Sequence, residues 1–337
     1  MPIYQSKNDI VLVTIGDPSG IGPEIVVKSL LSHQIKPYTG RILVIGDAFI
    51  LNQYFKKNKA CFCLHHESLR PSTLHSDKIN VLAINALSDK DFSAGLCHGK
   101  YGAASLKYID AAVRLLKNGY SKKIVTAPVS KEAINMAGIP FSGHTEYFAK
   151  NFKVINFGMM FYGEKLKTAL VTRHIPIRHI ARQLHKDKIY NTIKLFFNTL
   201  QFMGIKKPKI AVCGLNPHCR ELKGFGKEER FEIIPAIKQA RRQFKSIYGP
   251  ISADSAFFDA LHGSYDGIVC MYHDQGLPAV KMLERDSTVN ITMGLPIFRA
   301  SVSHGTAFDI AGKNIASINP FVYALKTTLS LRLNETK

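Results

Sequence analysis

Ile10-Val11-Leu12-Val13-Thr14-Ile15 runs directly into Gly16-Asp17-Pro18-Ser19-Gly20-Ile21-Gly22-Pro23-Glu24, and that into Ile25-Val26-Val27-Lys28-Ser29-Leu30-Leu31. A short apolar run bounded by turn formers reads as a buried strand. The glycines and Pro18 break it, and Pro23 suits the first turn of a helix over Pro23–Leu31. Strand, tight turn, helix is the opening of an α/β chain. The turn is similar to a nucleotide-binding glycine loop but is not GxGxxG. A plain strand-to-helix turn explains it equally well.

The same alternation continues outward. Arg41–Ile45 reads as a strand and Ala48–Lys57 as a helix. Leu106, Ile109, Val113 and Leu116 recur at helical spacing, and Ile124–Ala127 is the next strand. Further strands fit Phe157–Tyr162, Lys167–Thr172, Ile210–Cys213, Gly267–Met271 and Val289–Thr292. Helices fit Lys186–Phe202, Lys227–Phe244 and Pro320–Leu331. Alternation of this kind predicts an α/β class with a largely parallel sheet. No Gly/Ser linker interrupts it, and two α/β lobes with the chain crossing between them fit best. A cleft between lobes is a common substrate site.

Composition narrows the function. The chain has 337 residues, 46% of them hydrophobic, which suffices for a sizeable core. No apolar run reaches the roughly 20 residues of a membrane helix, and Ile10–Ile15 is too short for a secretory core, so a cytoplasmic protein with no membrane partner is expected. The net charge of +20 favours an acidic partner such as nucleic acid, a membrane surface or a phosphorylated substrate. The charges are dispersed, however. The densest stretch, Lys238–Lys245, overlays an amphipathic helix, and no nucleic-acid-binding signature occurs. Six scattered cysteines suggest free thiols. Cys61, Cys63, His65 and His66 read as an alternating strand in preference to a zinc site, because a second cysteine pair is missing.

Several polar segments sit where strands end, which is where α/β sheets gather ligands. Thr126-Ala127-Pro128-Val129-Ser130-Lys131-Glu132 is one, and Ser142-Gly143-His144-Thr145-Glu146 follows. There Thr145 is also a plausible cap for a helix starting at Glu146. His174, His218 and His273 each stand beside a strand end. Singly each reads as an ordinary polar residue, while together they could supply three imidazoles to one divalent ion. Their spacing does not decide between these. Lys281, Asn290 and Arg299 bracket Val289–Pro296, with Arg299 suited to a carboxylate or phosphate. His304-Gly305-Thr306-Ala307-Phe308-Asp309-Ile310-Ala311-Gly312-Lys313 combines small residues that let a ligand approach backbone with features of a surface loop.

Taken in order, the blocks GDPSGIGPE, TAPVSKE, SGHTE, RHIPI, GLNPH, FGKEE, SADSAFFD, YDGIVCMYHDQGLPAVK and VNITMGLPIFRASVSHGTAFDIAGK, from Gly16 to Lys313, resemble the 4-hydroxythreonine-4-phosphate dehydrogenase family of vitamin B6 (pyridoxine) biosynthesis. The resemblance implies a two-lobed α/β/α fold of the isocitrate/isopropylmalate dehydrogenase-like type. It implies an active site in the inter-lobe cleft at the interface of a homodimer. The first lobe would comprise 1–130 with 275–337, and the second 131–274 with the metal and dimer contacts. The implied metal ligands are His174, His218 and His273, holding one divalent ion (Zn, Mg or Co). The implied substrate contacts are His144, Thr145, Lys281, Asn290 and Arg299. Lys281, Asp254 and Asp274 are the catalytic candidates, the two carboxylates as orienting or proton-transfer groups. HGTAFDIAGK is similar to a dinucleotide segment of the wider superfamily. Gly294, His304, Gly305, Thr306 and Asp309 are thus the candidate contacts of NAD or NADP.

The implied reaction oxidises 4-phosphooxy-L-threonine to a β-keto acid that decarboxylates to 3-amino-2-oxopropyl phosphate. A related dehydrogenase of 4-phospho-threonate or erythronate is the rival within this class. A phosphate acyltransferase on the same two-lobed fold would need neither the histidines nor a nicotinamide, and a basic nucleic-acid-binding protein would leave HGTAFDIAGK and YHDQG unexplained. The chain departs from the family at Cys219, Arg220 and Leu222, where small residues are usual. It also has Ser303 where Asp is common and Asn314 where Gly is usual.

Overall fold

A computed structural model of the chain describes residues 10–57, 60–65, 74–88, 92–219 and 226–331. They form two compact units, one of 1–153 with 295–337 and one of 154–294.

The first unit opens with β1 (Val11–Thr14), all four residues buried, and α1 (Gly22–Leu31). β2 (Ile42–Gly46), α2 (Ala48–Lys57), β3 (Phe62–His65), β4 (Ile79–Ala83), α3 (Gly99–Lys117) and β5 (Lys123–Thr126) follow. α4 (Lys131–Met136) and α5 (His144–Asn151) come next, and β12 (Phe298–Ser301) and α11 (Asn319–Ser330) return from the C-terminal part. The strand order is β3-β4-β2-β1-β5-β12, and every pairing is parallel. Continuously apolar strands are what a sheet covered on both faces requires.

The turn after β1 is tight enough to demand glycine twice. A Cβ on Gly16, at φ +73°, would lie 2.2 Å from the Pro128 carbonyl oxygen, and one on Gly22 would lie 2.1 Å from that of Ile15. This turn carries the chain from the end of β1 straight into α1, with Pro23 in its first turn.

The second unit holds β6 (Gly158–Tyr162), β7 (Lys167–Leu170), α6 (Ile180–Gln183), α7 (Lys186–Phe202), β8 (Ile210–Cys213), α8 (Ile234–Gln243), β9 (Ile247–Ile251), α9 (Ala253–Leu261), β10 (Gly267–Cys270), α10 (His273–Glu284) and β11 (Val289–Met293). Its order is β11-β6-β7-β10-β8-β9. β7, β10, β8 and β9 run parallel, while β6 is antiparallel to both its neighbours. Glu284, buried at the end of α10, closes the β6–β7 hairpin by accepting from the backbone N–H groups of Lys165 (2.8 Å) and Leu166 (3.0 Å).

Three details depart from the periodicity. The helix expected over Lys227–Phe244 starts with a π-helical turn, Glu229–Ile233, before α8. Pro235 lacks the N–H that would continue the α ladder there. α5 begins at His144 with Gly143 at its N-cap, so Thr145 is not a helix cap. β4, β9 and β12 lie outside the strands expected from sequence. Gly249-Pro250 reads as a strand breaker, yet β9 is an edge strand, where a proline is tolerated.

Cys61 and Cys63 flank or occupy β3, and all six cysteines are free thiols. His66, Arg220 and Leu222 lie outside the described residues. Among the described residues, no helix is long and apolar enough to cross a membrane.

Candidate active site

In the second unit the strand order does what sequence spacing cannot. β7, β10 and β8 are adjacent and parallel, so the segments leaving their C-terminal ends emerge along one edge. His174 follows β7, His273 opens α10 after β10, and His218 follows β8. The His174 and His273 rings lie 5.6 Å apart between centroids. Asp274 Oδ1 stands 2.5 Å from His273 Nδ1. Arg173, Tyr272 and these two histidines line a cavity of about 250 Å³ with Asp274.

His218 faces a neighbouring cavity of about 440 Å³ together with Asp254, and Asp274 lines that one too. Asp254 is held below the usual carboxylate range, first by the Ser252 side chain, then by the Ser255 backbone and, among smaller contributions, by His218. His218 adopts φ +53°, a left-handed conformation uncommon for a side-chain-bearing residue. Such backbone is stable only where its surroundings fix it. Glu229 supplies that. Its carboxylate accepts from the N–H groups of Leu215 (2.7 Å) and Asn216 (2.8 Å), and from the Asn216 side chain (2.9 Å). Gln275 links the two strand ends. It accepts from Met271 N (2.7 Å) and donates to Gly214 O (2.7 Å). Cys219 is buried against Gly214 in this turn. Glu229 and Gln275 were not among the residues singled out from sequence, although FGKEE and YHDQG contain them.

Lys281 is exposed on α10, two turns beyond His273, and Asn290 is half-buried on β11. Gly294, at φ +88°, ends this unit.

The first unit carries a second polar cluster. Arg299, on β12, is only 3% exposed. It donates to Thr126 Oγ1 (2.9 Å) at the end of β5 and to Thr145 Oγ1 (3.4 Å) on α5. Its guanidinium lies over the Phe148 ring at 5.9 Å. Burial lowers the Arg299 pKa to about 10, opposed by Glu146. Burial, and then the cations Arg299 and Lys131, push His144 well below the ordinary histidine value, so its ring is neutral at pH 7. His144 Nε2 is sealed from solvent and has no hydrogen-bond partner among the described residues.

The loop from His304 shares this unit. Thr306 O accepts from Ile21 N (2.9 Å), which docks the loop on the β1–α1 turn. Gly305 and Asp309 are exposed, and His304 Nδ1 lies 3.1 Å from Gly305 O. Ser303 is half-buried. Asn314 takes φ +61°, so it keeps the left-handed backbone that glycine would adopt.

The donor chemistry of the second-unit cluster suits a divalent metal in part. Rings ligating one ion through nitrogens about 2.1 Å away stand roughly 5 Å apart between centroids, close to the His174–His273 spacing. A carboxylate on the far ring nitrogen, as Asp274 provides, is the usual support for such a ligand. Among the described residues of one chain, no group of three or more His, Cys, Asp or Glu side chains stands together as a metal site.

Two α/β units with polar groups gathered at parallel strand ends are the frame of an enzyme, and comparison with known proteins gives its class: the chain is a dehydrogenase. It belongs to the family described as pyridoxal phosphate biosynthetic protein PdxA, whose sequence profile matches residues 39–328. It is 38% identical over 320 residues to a 4-hydroxythreonine-4-phosphate dehydrogenase of Desulforapulum autotrophicum, covering 94% of each chain. It is also 38% identical over 324 residues to a D-threonate 4-phosphate dehydrogenase of Cupriavidus necator, covering 94% of this chain and 95% of that one. The crystal structure of 4-hydroxythreonine-4-phosphate dehydrogenase from Klebsiella pneumoniae is similar at a TM-score of 0.87 and 33% identity, over 96% of this chain and 99% of that one.

Proposed function

We propose that this dehydrogenase oxidises the secondary alcohol of 4-phosphooxy-L-threonine with NAD or NADP, yielding a β-keto acid that decarboxylates to 3-amino-2-oxopropyl phosphate. The observation that carries the reading is the pairing of His174 with His273 beside Asp274, at the ends of β7 and β10, with β10 also neighbouring β8, after which His218 comes.

His174, His218 and His273 would hold one divalent ion, the set being completed when two copies of the chain assemble. When bound, the ion supplies Lewis acidity that lowers the substrate hydroxyl's pKa, and the nicotinamide accepts the hydride. The rest is done by side chains. Asp274 engages His273 Nδ1, which fixes the ring and leaves Nε2 as its ligating nitrogen. Asp254, beside His218, is ionised at neutral pH and available to orient it or to accept a proton. Arg299, already aligned by Thr126 and Thr145, offers a fixed fork to a carboxylate or phosphate oxygen. His144, being neutral, adds a hydrogen bond through Nε2 without adding a further cation to desolvate. Lys281 and Asn290 serve the same anionic substrate, and Gly294 with the loop His304–Asp309 serves the coenzyme.

D-threonate 4-phosphate is the second reading, because a relative of equal identity carries that name. The two substrates share the phosphate, the carboxylate and the alcohol, and differ in the amine. Purified protein given each substrate with NAD or NADP should reduce the coenzyme in a chelator-sensitive way, with the higher kcat/KM on the threonine derivative. A higher value on the threonate would make the second reading the right one. No turnover of either, with divalent metal restored, overturns both.

A further inference from the structure

Glu24 is fully buried on α1, one turn before Lys28. Its Oε1 accepts from Lys28 Nζ (3.2 Å) and from Ala316 N (2.8 Å). Lys28 Nζ in turn donates to Ala316 O (2.9 Å) and Asn314 O (3.3 Å). Both backbone polar groups of Ala316 are therefore taken by one ion pair from a distant helix. Tyr54 of α2 meets the same stretch, its hydroxyl lying against the Gly312 backbone.

The stretch has reason to need holding. Ala307 (φ +44°), Gly312 (φ +78°) and Asn314 (φ +61°) all adopt left-handed backbone. For Ala307 that conformation costs about 1 kcal/mol or more and persists only if the surroundings impose it. The loop's own backbone hydrogen bonds between Ala307 and Lys313 are long, at 3.2 to 3.3 Å. At its start, Ile21 N holds Thr306 O. Its far end is gripped by Glu24 and Lys28, so α1 and the turn before it grip both ends.

An exposed i,i+4 ion pair is worth only a few tenths of a kcal/mol. Here the carboxylate is buried, and its Oε2 has no partner among the described residues. A buried carboxylate satisfied on only one side is a poor way to gain stability, since an apolar residue would often serve better. What the pair does achieve is a fixed path for residues 312–316.

We infer that Glu24 and Lys28 are positioning residues that hold the 304–316 loop in the shape that receives a nicotinamide dinucleotide. This rests on the coenzyme role given to that loop above. The loop's own coenzyme contacts lie within His304–Asp309, and the pair acts on them through the loop's anchored end.

The test uses the full-length protein with Lys28→Met, Glu24→Gln and Lys28→Arg variants. Binding of NADH and NADPH is followed by their fluorescence, and hydrogen exchange is followed at residues 312–316 in the coenzyme-free protein. Lys28 is partly exposed, so Lys28→Met keeps the fold, and Glu24→Gln keeps the acceptor for Ala316 N. Lys28→Met should weaken dinucleotide binding about tenfold, as expected for one or two lost hydrogen bonds, and speed exchange at 312–316. The KM for the phosphorylated alcohol should stay within about twofold of wild type. Lys28→Arg, which keeps a donor there, should restore binding. Unchanged dinucleotide affinity in both Lys28→Met and Glu24→Gln, with wild type binding normally, overturns the inference alone. Failure of wild type to bind either dinucleotide overturns the coenzyme reading and this inference with it.

Discussion

Arg299 shows how one residue can be chemically legible while its setting is not. Its type and its place near the C-terminal end suggested an anion contact. That it would be buried, aligned by Thr126 and Thr145 and stacked over Phe148 required the register of β12 against β5. Because the fork is preset, lysine cannot replace it. Arg299→Lys should raise KM for the phosphorylated substrate about tenfold or more and leave that for the coenzyme within about twofold, in steady-state assays varying each in turn. Asp17, buried in the turn after β1, shows no such chemistry in its sequence context. Burial, partly offset by the Ser19 and Ser130 backbone, raises its pKa from 3.8 to about 6. The protonated form is thus favoured in the folded state. The stability it contributes is complete below about pH 4 and is lost as pH rises through 6, a change of about 3 kcal/mol. Asp17→Asn removes that titration and keeps an acceptor for Ser19 N. Its Tm should gain on wild type between pH 4.5 and pH 7, and a constant difference across that window would contradict the assignment.

At the scale of elements, strands with continuous apolar runs were plain in the sequence, and so were long amphipathic helices such as α7. β4, where Asn80 interrupts the apolar run, β9 and β12 were not. Gly249-Pro250 argues against a strand unless its edge position is known, and Arg299 breaks the apolar run that would mark β12. The three histidines were visible as strand-end residues. Only the order β7-β10-β8 explains why those ends share an edge. Glu229 and Gln275 escaped notice because their work is backbone capping, which leaves no periodicity. Two buried carboxylates of the second unit, Glu229 and Glu284, separate support of the site from support of the fold. Glu229 grips the turn that carries His218, whereas Glu284 closes the β6–β7 hairpin. Each alanine variant leaves N–H groups without their acceptor, at about 1–3 kcal/mol apiece. Both should lower Tm, but only Glu229→Ala should also weaken Zn binding about tenfold or more in a competition titration. Equal metal affinity in the two variants would remove Glu229 from the site's support.

Across the whole molecule, the strand-helix alternation was legible from end to end, but the points where the compact units divide were not. They fall at Lys153/Val154 and Gly294/Leu295, inside stretches whose composition does not change. The net charge of +20 pointed to an acidic partner without saying which. Part of it resolves into cations with a local task, such as Arg299 on β12 and Lys28 against the Asn314 and Ala316 carbonyls, rather than into a continuous nucleic-acid surface. Metal titration by calorimetry, on wild type and on His174→Ala, His218→Ala and His273→Ala separately, bears most directly on the shared-imidazole arrangement. One divalent ion per chain in wild type, and loss of that binding together with coenzyme reduction in each variant that still folds, is the expected result. Wild-type affinity and turnover in any one of the three would contradict it.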